Sequence, residues 1–357
     1  MRRRILVIGA GTGASNNLIR SLKAGDPSFF IVGAHTDRFV LKKSSADRKY
    51  FMPAPEAPAF IRSVRRIVAA ERIDLIIPTG DADVAALSEY RHRFPGRIFL
   101  PSRAIVDLCQ DKYELTMFLR AHGVPAPDTY PVVDLERIED LFGSLEGRVP
   151  LWCRARTGTR SLGAAPVTNP EQARGWIRYW EELRGVPASS FTLSEYLPGR
   201  DFLCQSIWRR GVLVLANSFE RLAYFGGENT PSGVSSLSSL AKTVVDRRIL
   251  DTCVSAIRAL GRSVSGAFSV DLKEDRGGVP CVTEINAGRF FIGMTAFDHV
   301  GKHNMPHTYV KLALGEEVGF RGEYDAVEDY YLVRDLDTLP GVFHAAELFD
   351  GIKEVPA

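Results

Sequence analysis

Four apolar residues, Ile5-Leu-Val-Ile8, run directly into Gly9-Ala-Gly-Thr-Gly13, after which Leu18, Ile19 and Leu22 recur at helical spacing. A buried strand, a glycine turn and a helix in that order leave few options, because such a unit feeds a parallel strand through a crossover. Residues 29–34 give a second buried strand, 61–70 a helix, 73–78 a third strand and 98–101 a fourth. Strands alternating with helices predict a parallel, doubly wound sheet. The alternation stops near Asp107, and 357 residues exceed what a single core holds, so two or three domains are expected.

Beyond that point Asp111 and Glu114 stand three apart ahead of Leu115, Phe118 and Leu119, the pattern of a capped helix start, and Gly123, Pro125 and Pro127 end it. A strand at 151–154, a polar loop to Gly163 and a helix capped by Asn169 with Pro170 in its first turn make a small unit. Trp176, Trp180 and Leu183 give that helix its apolar face. From Phe191 the chain reads as antiparallel hairpins around a helix at 245–260, with a last helix at 306–314.

Charge narrows the function classes. Forty-five Lys and Arg against 43 Asp and Glu leave a net +2, too little to hold nucleic acid or an anionic membrane surface. No stretch is long enough to span a bilayer, and the apolar run after Arg2-Arg-Arg4 is too short for a signal peptide. The five cysteines are scattered, odd in number and without a C-x-x-C pair, which fits reduced thiols and a cytoplasmic location.

The densest chemistry lies between Val264 and Arg289. Val264, Phe268, Val270 and Leu272 alternate with Ser265, Ala267, Ser269 and Asp271, as in a half-buried strand. Gly277-Gly278 predicts a two-residue type I′ turn, and pairing symmetric about it sets Asp271 opposite Glu284 and Ser269 opposite Asn286. Directly opposed like charges destabilise a sheet. A solvated polar face is one resolution; a hard divalent cation such as Mg²⁺, which prefers oxygen donors, is the other.

Asp271 and the run Thr283-Glu284-Ile285-Asn286-Ala287-Gly288-Arg289 resemble the metal-binding end of ATP-grasp enzymes, which carry an acid on one strand, Glu-x-Asn on the next and an Arg close behind. Arg289 follows Asn286 by three residues where the family spacing is two. Gln110-Asp-Lys112 ahead of Gly123-Val-Pro is similar to the family's first phosphate-binding cation. Arg154, with Ser161 and Gly163 in the loop after it, resembles the second cation and the glycine loop, here poorer in glycine and with Arg as in the carbamoyl-phosphate-synthase branch. Leu193-Ser-Glu195-Tyr-Leu197-Pro-Gly199-Arg-Asp201 resembles the adenine hinge and ribose acid, and Arg221 falls where a basic residue lies near the phosphates.

The resemblance implies an α/β chain, α+β in its catalytic part: a Rossmann-like pre-ATP-grasp domain (1–108), then the two-part ATP-grasp fold with antiparallel sheets, as a lid domain (109–190) and a catalytic domain (191–335), and a C-terminal tail (336–357). It implies a carbon–nitrogen ligase that activates a small carboxylate as an acylphosphate, releases ADP and passes the acyl group to an amine. ATP would contact Lys112, Arg154, Ser161, Gly163, Glu195, Leu197, Asp201 and Arg221. Mg²⁺, or Mn²⁺ in its place, would bind Asp271, Glu284 and Asn286, and Lys112, Arg154 and Arg289 would serve the chemistry. A homodimer is compatible with this reading.

Other readings exist. Gly9, Gly11 and Gly13 with Asp37 suit an NAD(P)-linked oxidoreductase, although the full G-x-G-x-x-G is missing. A non-catalytic ATP-binding module would share the nucleotide contacts. His299, His303 and His307 would stack on one helix and invite zinc, but Gly301 and Pro306 interrupt such a helix. Substrate choice is expected from Arg289, the 79–81 turn, the serine-rich 232–239 loop and residues 290–303.

Overall fold

The structure is a computed structural model that describes residues 2–158, 161–226, 232–290, 292–335, 339, 341–348 and 350. Thr159 and Arg160 of the glycine loop, Phe291, and residues 336–338, 340, 349 and 351–357 of the expected tail lie outside them. Among the described residues the strands form three sheets.

The first sheet is parallel, in the order β3-β2-β1-β4, from β1 (Arg4–Ile8), β2 (Phe30–His35), β3 (Arg48–Phe51) and β4 (Leu75–Pro78). Helices α1 (Gly13–Gly25), α2 (Arg38–Lys42), α3 (Phe60–Glu71), α4 (Asp81–Glu89) and α5 (Arg103–Gln110) accompany it. The strand predicted at 98–101 makes only one bridge, Ile98 to Ile76. The opposite edge is instead taken by β3, which the apolar pattern misses because its residues are largely exposed. The strand order reverses beside β1, so Gly9 and Thr79 meet at the carboxyl edge, where Thr79 donates to the Ile8 carbonyl at 2.8 Å.

Helix α6 (Lys112–Ala121) follows, capped by Asp111, which accepts from the Tyr113 and Glu114 N–H groups at 3.0 and 3.1 Å. The Glu114 side chain does not close a capping box; it pairs with Arg156 at 3.1 Å. The second sheet is antiparallel, ordered β5-β8-β6-β7, from β5 (Thr129–Pro131), β6 (Leu151–Ala155), β7 (Ala165–Val167) and β8 (Phe191–Glu195). It carries α7 (Ile138–Ser144) and α8 (Pro170–Arg184), with Ile138, Leu151, Cys153, Ile177, Phe191 and Leu193 forming a small core of its own.

The third sheet runs β13-β12-β9-β10-β11-β15-β16, antiparallel throughout, with β14 pairing parallel to β10 at the side. Its strands are β9 (Asp201–Arg209), β10 (Val212–Tyr224), β11 (Ser238–Thr243), β12 (Gly266–Glu274), β13 (Pro280–Ala287), β14 (Glu323–Tyr324), β15 (Tyr330–Val333) and β16 (Gly341–His344). On one face α9 (Arg247–Ala259) and α6 bury Leu115, Leu119, Ile249 and Ile257 against Phe268, Val270 and Ile285. Helices α10 (Ile292–Phe297) and α11 (Met305–Ala313) complete the chain; Met305 and Tyr309 share a core with Ile5, Val7 and Leu22 of the first sheet and Ile207 and Leu215 of the third. Two sheets are thus joined through one apolar core, while the second sheet meets them through polar contacts such as Arg276 to the Gly147 and Val149 carbonyls at 3.2 and 3.3 Å.

Asp298, just after α10, crosses the first of these joints. It accepts from Ser21 Oγ at 2.5 Å and from the Met305 N–H at 3.2 Å, and burial pushes its carboxyl from an ordinary 3.8 up to about 7. Through that interval the folded chain holds a proton the unfolded chain has lost, so this group's share of stability declines as pH rises toward 7. The thermal midpoint is expected to fall from about pH 4.5 to 8, and Asp298→Asn, neutral throughout, to flatten that decline. Parallel curves for the two proteins would refute the assignment.

Candidate functional site

The hairpin β12–β13 sets the site, and its register is the one predicted, reached by a different route. Asp271 lies opposite Glu284 and Ser269 opposite Asn286. The turn, however, is not a two-residue type I′: Asp275 N–H donates to the Val279 carbonyl at 3.0 Å, and of the two glycines only Gly278 has positive φ, +76°. Three residues, Arg276 to Gly278, therefore sit in the loop, as in hairpins closed by a left-handed glycine. This offset alone would slip every pair by one; a bulge at Thr283, between the pairs Leu272–Val282 and Asp271–Glu284, restores them.

The bulge leaves the Thr283 carbonyl outside the ladder, and Arg154 NH2, from β6 in the second sheet, donates to it at 3.1 Å. Arg154 is 9% exposed, and its Nε has no hydrogen-bond partner among the described residues. Lys112 Nζ lies 3.6 Å from Glu284 Oε2 and donates to the Gly158 carbonyl at 2.8 Å. Burial pulls the Lys112 ammonium and the Arg154 guanidinium below their ordinary pKa values, with Glu284 opposing the shift in both. Residues 112, 154 and 284 thus converge, with two buried cations facing one carboxylate.

On the other side of the hairpin Arg221 bridges two acids: NH1 meets Asp201 Oδ1 at 3.0 Å and NH2 meets Asp271 Oδ1. Tyr224 donates its phenol proton to Asp201, and burial beside that carboxylate raises the phenol's pKa. Asn286 Nδ2 donates to Asp271 Oδ2 at 3.0 Å, and Arg289 NH2 donates to Asn286 Oδ1. Arg289 also holds Asp81, the first residue of α4, with Nε 2.8 Å from Oδ1 and NH2 3.2 Å from Oδ2. Burial raises the Asp81 pKa and Arg289 opposes that rise.

The remaining candidates are placed as follows. Ser161 and Gly163 both adopt positive φ; Gly163 is tightly packed, since a Cβ there would stand 2.5 Å from the Phe191 ring. The Glu195 N–H is committed to the Asp128 carbonyl at 2.8 Å and its carboxylate lies 3.5 Å from Arg148, while Leu197 is buried. The glycine turn after β1 serves its own chain: a Cβ at Gly11 would stand 2.0 Å from the Val40 carbonyl, Thr12 caps Ser15, and Asp37 caps α2. Those contacts leave the oxidoreductase reading without its pyrophosphate cradle. The three histidines do not share a helix: α11 begins at Met305, and the His303 ring stacks on Phe320.

Sequence reasoning missed Arg156, which pairs with Asp111 at 2.8 Å and so ties the second sheet to the start of α6. It also missed Tyr224 and the carbonyl role of Thr283. No sequence signal marks Arg156 apart from its place two residues beyond Arg154. Among the described residues no three or more His, Cys, Asp or Glu side chains gather in a metal-holding group. The hard-oxygen set is Glu284, Asn286 and Asp271, and Asp271 is already engaged by Arg221 and Asn286.

No protein-family model matches the chain. Solved structures do. The biotin carboxylase domain of 2-oxoglutarate carboxylase from Hydrogenobacter thermophilus, with ADP, magnesium and bicarbonate, superimposes with a TM-score of 0.71 at 14% identity over 93% of this chain and 73% of that one. L-amino acid ligase from Bacillus licheniformis gives 0.68 at 13% identity over 92% and 78%. N5-carboxyaminoimidazole ribonucleotide synthetase from Thermotoga maritima gives 0.64 at 15% identity over 93% and 80%. With three sheets in this arrangement and cations from α6 and β6 meeting at the Glu284 hairpin, the chain has the ATP-grasp fold.

Proposed function

We propose that the protein is an ATP- and Mg²⁺-dependent ligase that activates a carboxylate as an acylphosphate, releases ADP and transfers the acyl group to an amine. The observation that carries this reading is the charge balance at Glu284: Lys112 at the start of α6 and Arg154 on β6 both lie beside it, and the buried Arg154 Nε has no acceptor among the described residues. A buried donor left unpaired costs about 1–3 kcal/mol, so a native site that tolerates it is built for an anion. Phosphate oxygens fit, with the guanidinium offering further donors in a fixed fork. The similar structures hold ADP, magnesium and bicarbonate in one case and are an amino acid ligase in another, which supports an ATP-driven reaction at a carboxyl group.

In this reading Lys112 and Arg154 hold the phosphates. Glu284 and Asn286 would hold Mg²⁺, which when bound neutralises phosphate charge; Asn286 Oδ1 already accepts from Arg289 and offers the metal its second lone pair, while Asp271 joins them only by exchanging its Arg221 partner. A carboxylate oxygen attacks the γ-phosphorus as the bond to ADP breaks, and the amine then displaces phosphate from the acyl carbon. The second sheet, held by polar contacts, serves as a lid that excludes water from the acylphosphate. Adenine would lie near Glu195 to Leu197 and ribose near Asp201. The N-terminal part (1–108) would present the substrate at its carboxyl edge, the second sheet with α7 and α8 would be the lid, and the third sheet with α6, whose Leu115 and Leu119 lie in its core, would carry the metal. Five buried free cysteines support a cytoplasmic location, and a homodimer fits, as the 2-oxoglutarate carboxylase domain is a dimer. No described helix is long and apolar enough to cross a membrane.

Pooled amino acids and small carboxylates with Mg²⁺-ATP are expected to elicit ADP release that disappears in a folded Glu284→Gln variant. Undiminished release by that variant would remove the metal role. Lys112→Ala and Arg154→Lys are each expected to weaken ATP binding about tenfold or more in calorimetric titrations. Unchanged affinity in both would remove the phosphate roles.

A further inference from the structure

The extra residue between Asn286 and Arg289 is resolved by the fold. Gly288 takes φ +86°, and its N–H donates to the Ala267 carbonyl at 2.7 Å as the chain leaves the sheet. A Cβ at that position would stand 3.0 Å from Val84 Cγ1 and 3.1 Å from Leu100 Cδ2, both in the N-terminal domain. The chain therefore turns off β13 in close contact with that domain, in a conformation that suits glycine. Arg289 emerges against α4, within reach of Asp81.

The Asp81–Arg289 pair has the features of a built contact. It combines one hydrogen bond, NH2 to Oδ2 at 3.2 Å, with a close ion-pair approach of Nε to Oδ1 at 2.8 Å, and both side chains are largely withdrawn from water. Its backbone is fixed at both ends: Gln110 Nε2 donates to the Asp81 carbonyl at 3.0 Å, and Ser269 Oγ donates to the Arg289 carbonyl at 3.3 Å. Gln110 lies two residues before Lys112. From Arg289 the connection continues through Asn286 to Asp271, so a continuous polar chain links the carboxyl edge of the first sheet to the oxygen donors of the hairpin.

We propose that Asp81 is a positioning residue: it holds the Arg289 guanidinium on Asn286, so that the arginine that would orient the acceptor is set by the N-terminal domain as well as by β13. The kinetic consequence rests on the ligase reading above; the hold itself does not. Among the described residues Asp81 makes no hydrogen bond or ion pair with Lys112 or Arg154 and acts on the Lys112 ammonium only through space, so its removal is expected to affect the reacting geometry more than nucleotide binding.

The test uses the full chain labelled with ¹⁵N-arginine, in which the Arg289 Nε–H resonance is identified by its loss in Arg289→Lys. In Asp81→Asn this resonance is expected to move and to exchange with solvent faster, and in Asp81→Glu to return part of the way. In the ADP-release assay Asp81→Asn is expected to lower kcat about 10- to 100-fold, with KM for ATP within about twofold of wild type. Asp81→Glu should recover part of that loss. Adding Asp81→Asn to Arg289→Met should cost nothing further, because the aspartate acts through the arginine. An Arg289 resonance indifferent to Asp81→Asn, or losses that add in the double variant, would overturn the proposal. Absence of ADP release by the wild type would overturn the ligase reading, and the resonance would then uphold or overturn the Asp81 hold by itself.

Discussion

Single-residue bulges decide which side chains face the site, and much else in the molecule depends on them. In β12–β13 the bulge at Thr283 undoes the offset introduced by a three-residue turn, so that Asp271, Glu284 and Asn286 share one face. In the neighbouring β9–β10 hairpin the turn is Arg210-Gly211, with φ of +51° and +77°, the pair of positive angles that a type I′ turn needs. A register shift between Leu213 and Leu215 then places Arg221 directly opposite Asp201. Because side chains alternate with a period of two, removing either bulge would turn its acids or its arginine toward the apolar core. The Thr283 bulge has a second effect: it frees the carbonyl that anchors Arg154, and so brings the lid strand to the hairpin.

The electrostatics follow from that arrangement. Lys112 and Arg154 are buried beside a single carboxylate, an unfavourable balance that a fold selected for stability alone would avoid. On the other flank each arginine has its acid: Arg221 lies between Asp201 and Asp271, which leaves one negative charge in excess, and Arg289 between Asp81 and the neutral Asn286. The site thus has a cation-rich half with spare donors and an ion-paired half in which acids predominate. Phosphoryl transfer concentrates negative charge, and preorganised cations in a dry cleft act on that charge more strongly than they would in water. The ion-paired half is held by contacts within the chain and can keep its geometry in advance.

How much of this was legible in the sequence depends on the range of the forces involved. The parallel opening was readable because Ile5–Ile8, Val32 and Ile76 are buried on both faces and therefore leave continuous apolar runs. The edge strand β3 was not, since an exposed strand has no such signature. Asp271 facing Glu284 was readable from the glycine pair, but only because two errors of one residue, in the turn and in the bulge, cancel. The capping of α6 by Asp111 and of α8 by Asn169 was local and correctly anticipated. Arg221 with Asp271, Arg154 with Thr283 and Asp81 with Arg289 are separated by 50, 129 and 208 residues. No periodicity reports contacts of that kind; the family resemblance supplied candidates for some of these residues, and none of the pairings.

The two joints of the molecule differ in kind, and that difference assigns motion. The first and third sheets share an apolar core in which Val7, Leu22, Leu215 and Tyr309 are each no more than 1% exposed, so separating them exposes a large apolar area and is resisted throughout. The lid keeps its own core and touches the rest through hydrogen bonds and ion pairs: Arg276 to Gly147 and Val149, Arg156 to Asp111, Lys112 to Gly158 and Arg154 to Thr283. Water can replace each of these with little net loss, which makes the lid joint the one that opens. Two of the four contacts involve the buried cations themselves. On the proposed reading, closing the lid would assemble the phosphate-binding half, while the Asp81–Arg289 side lies on the apolar joint and is set without it.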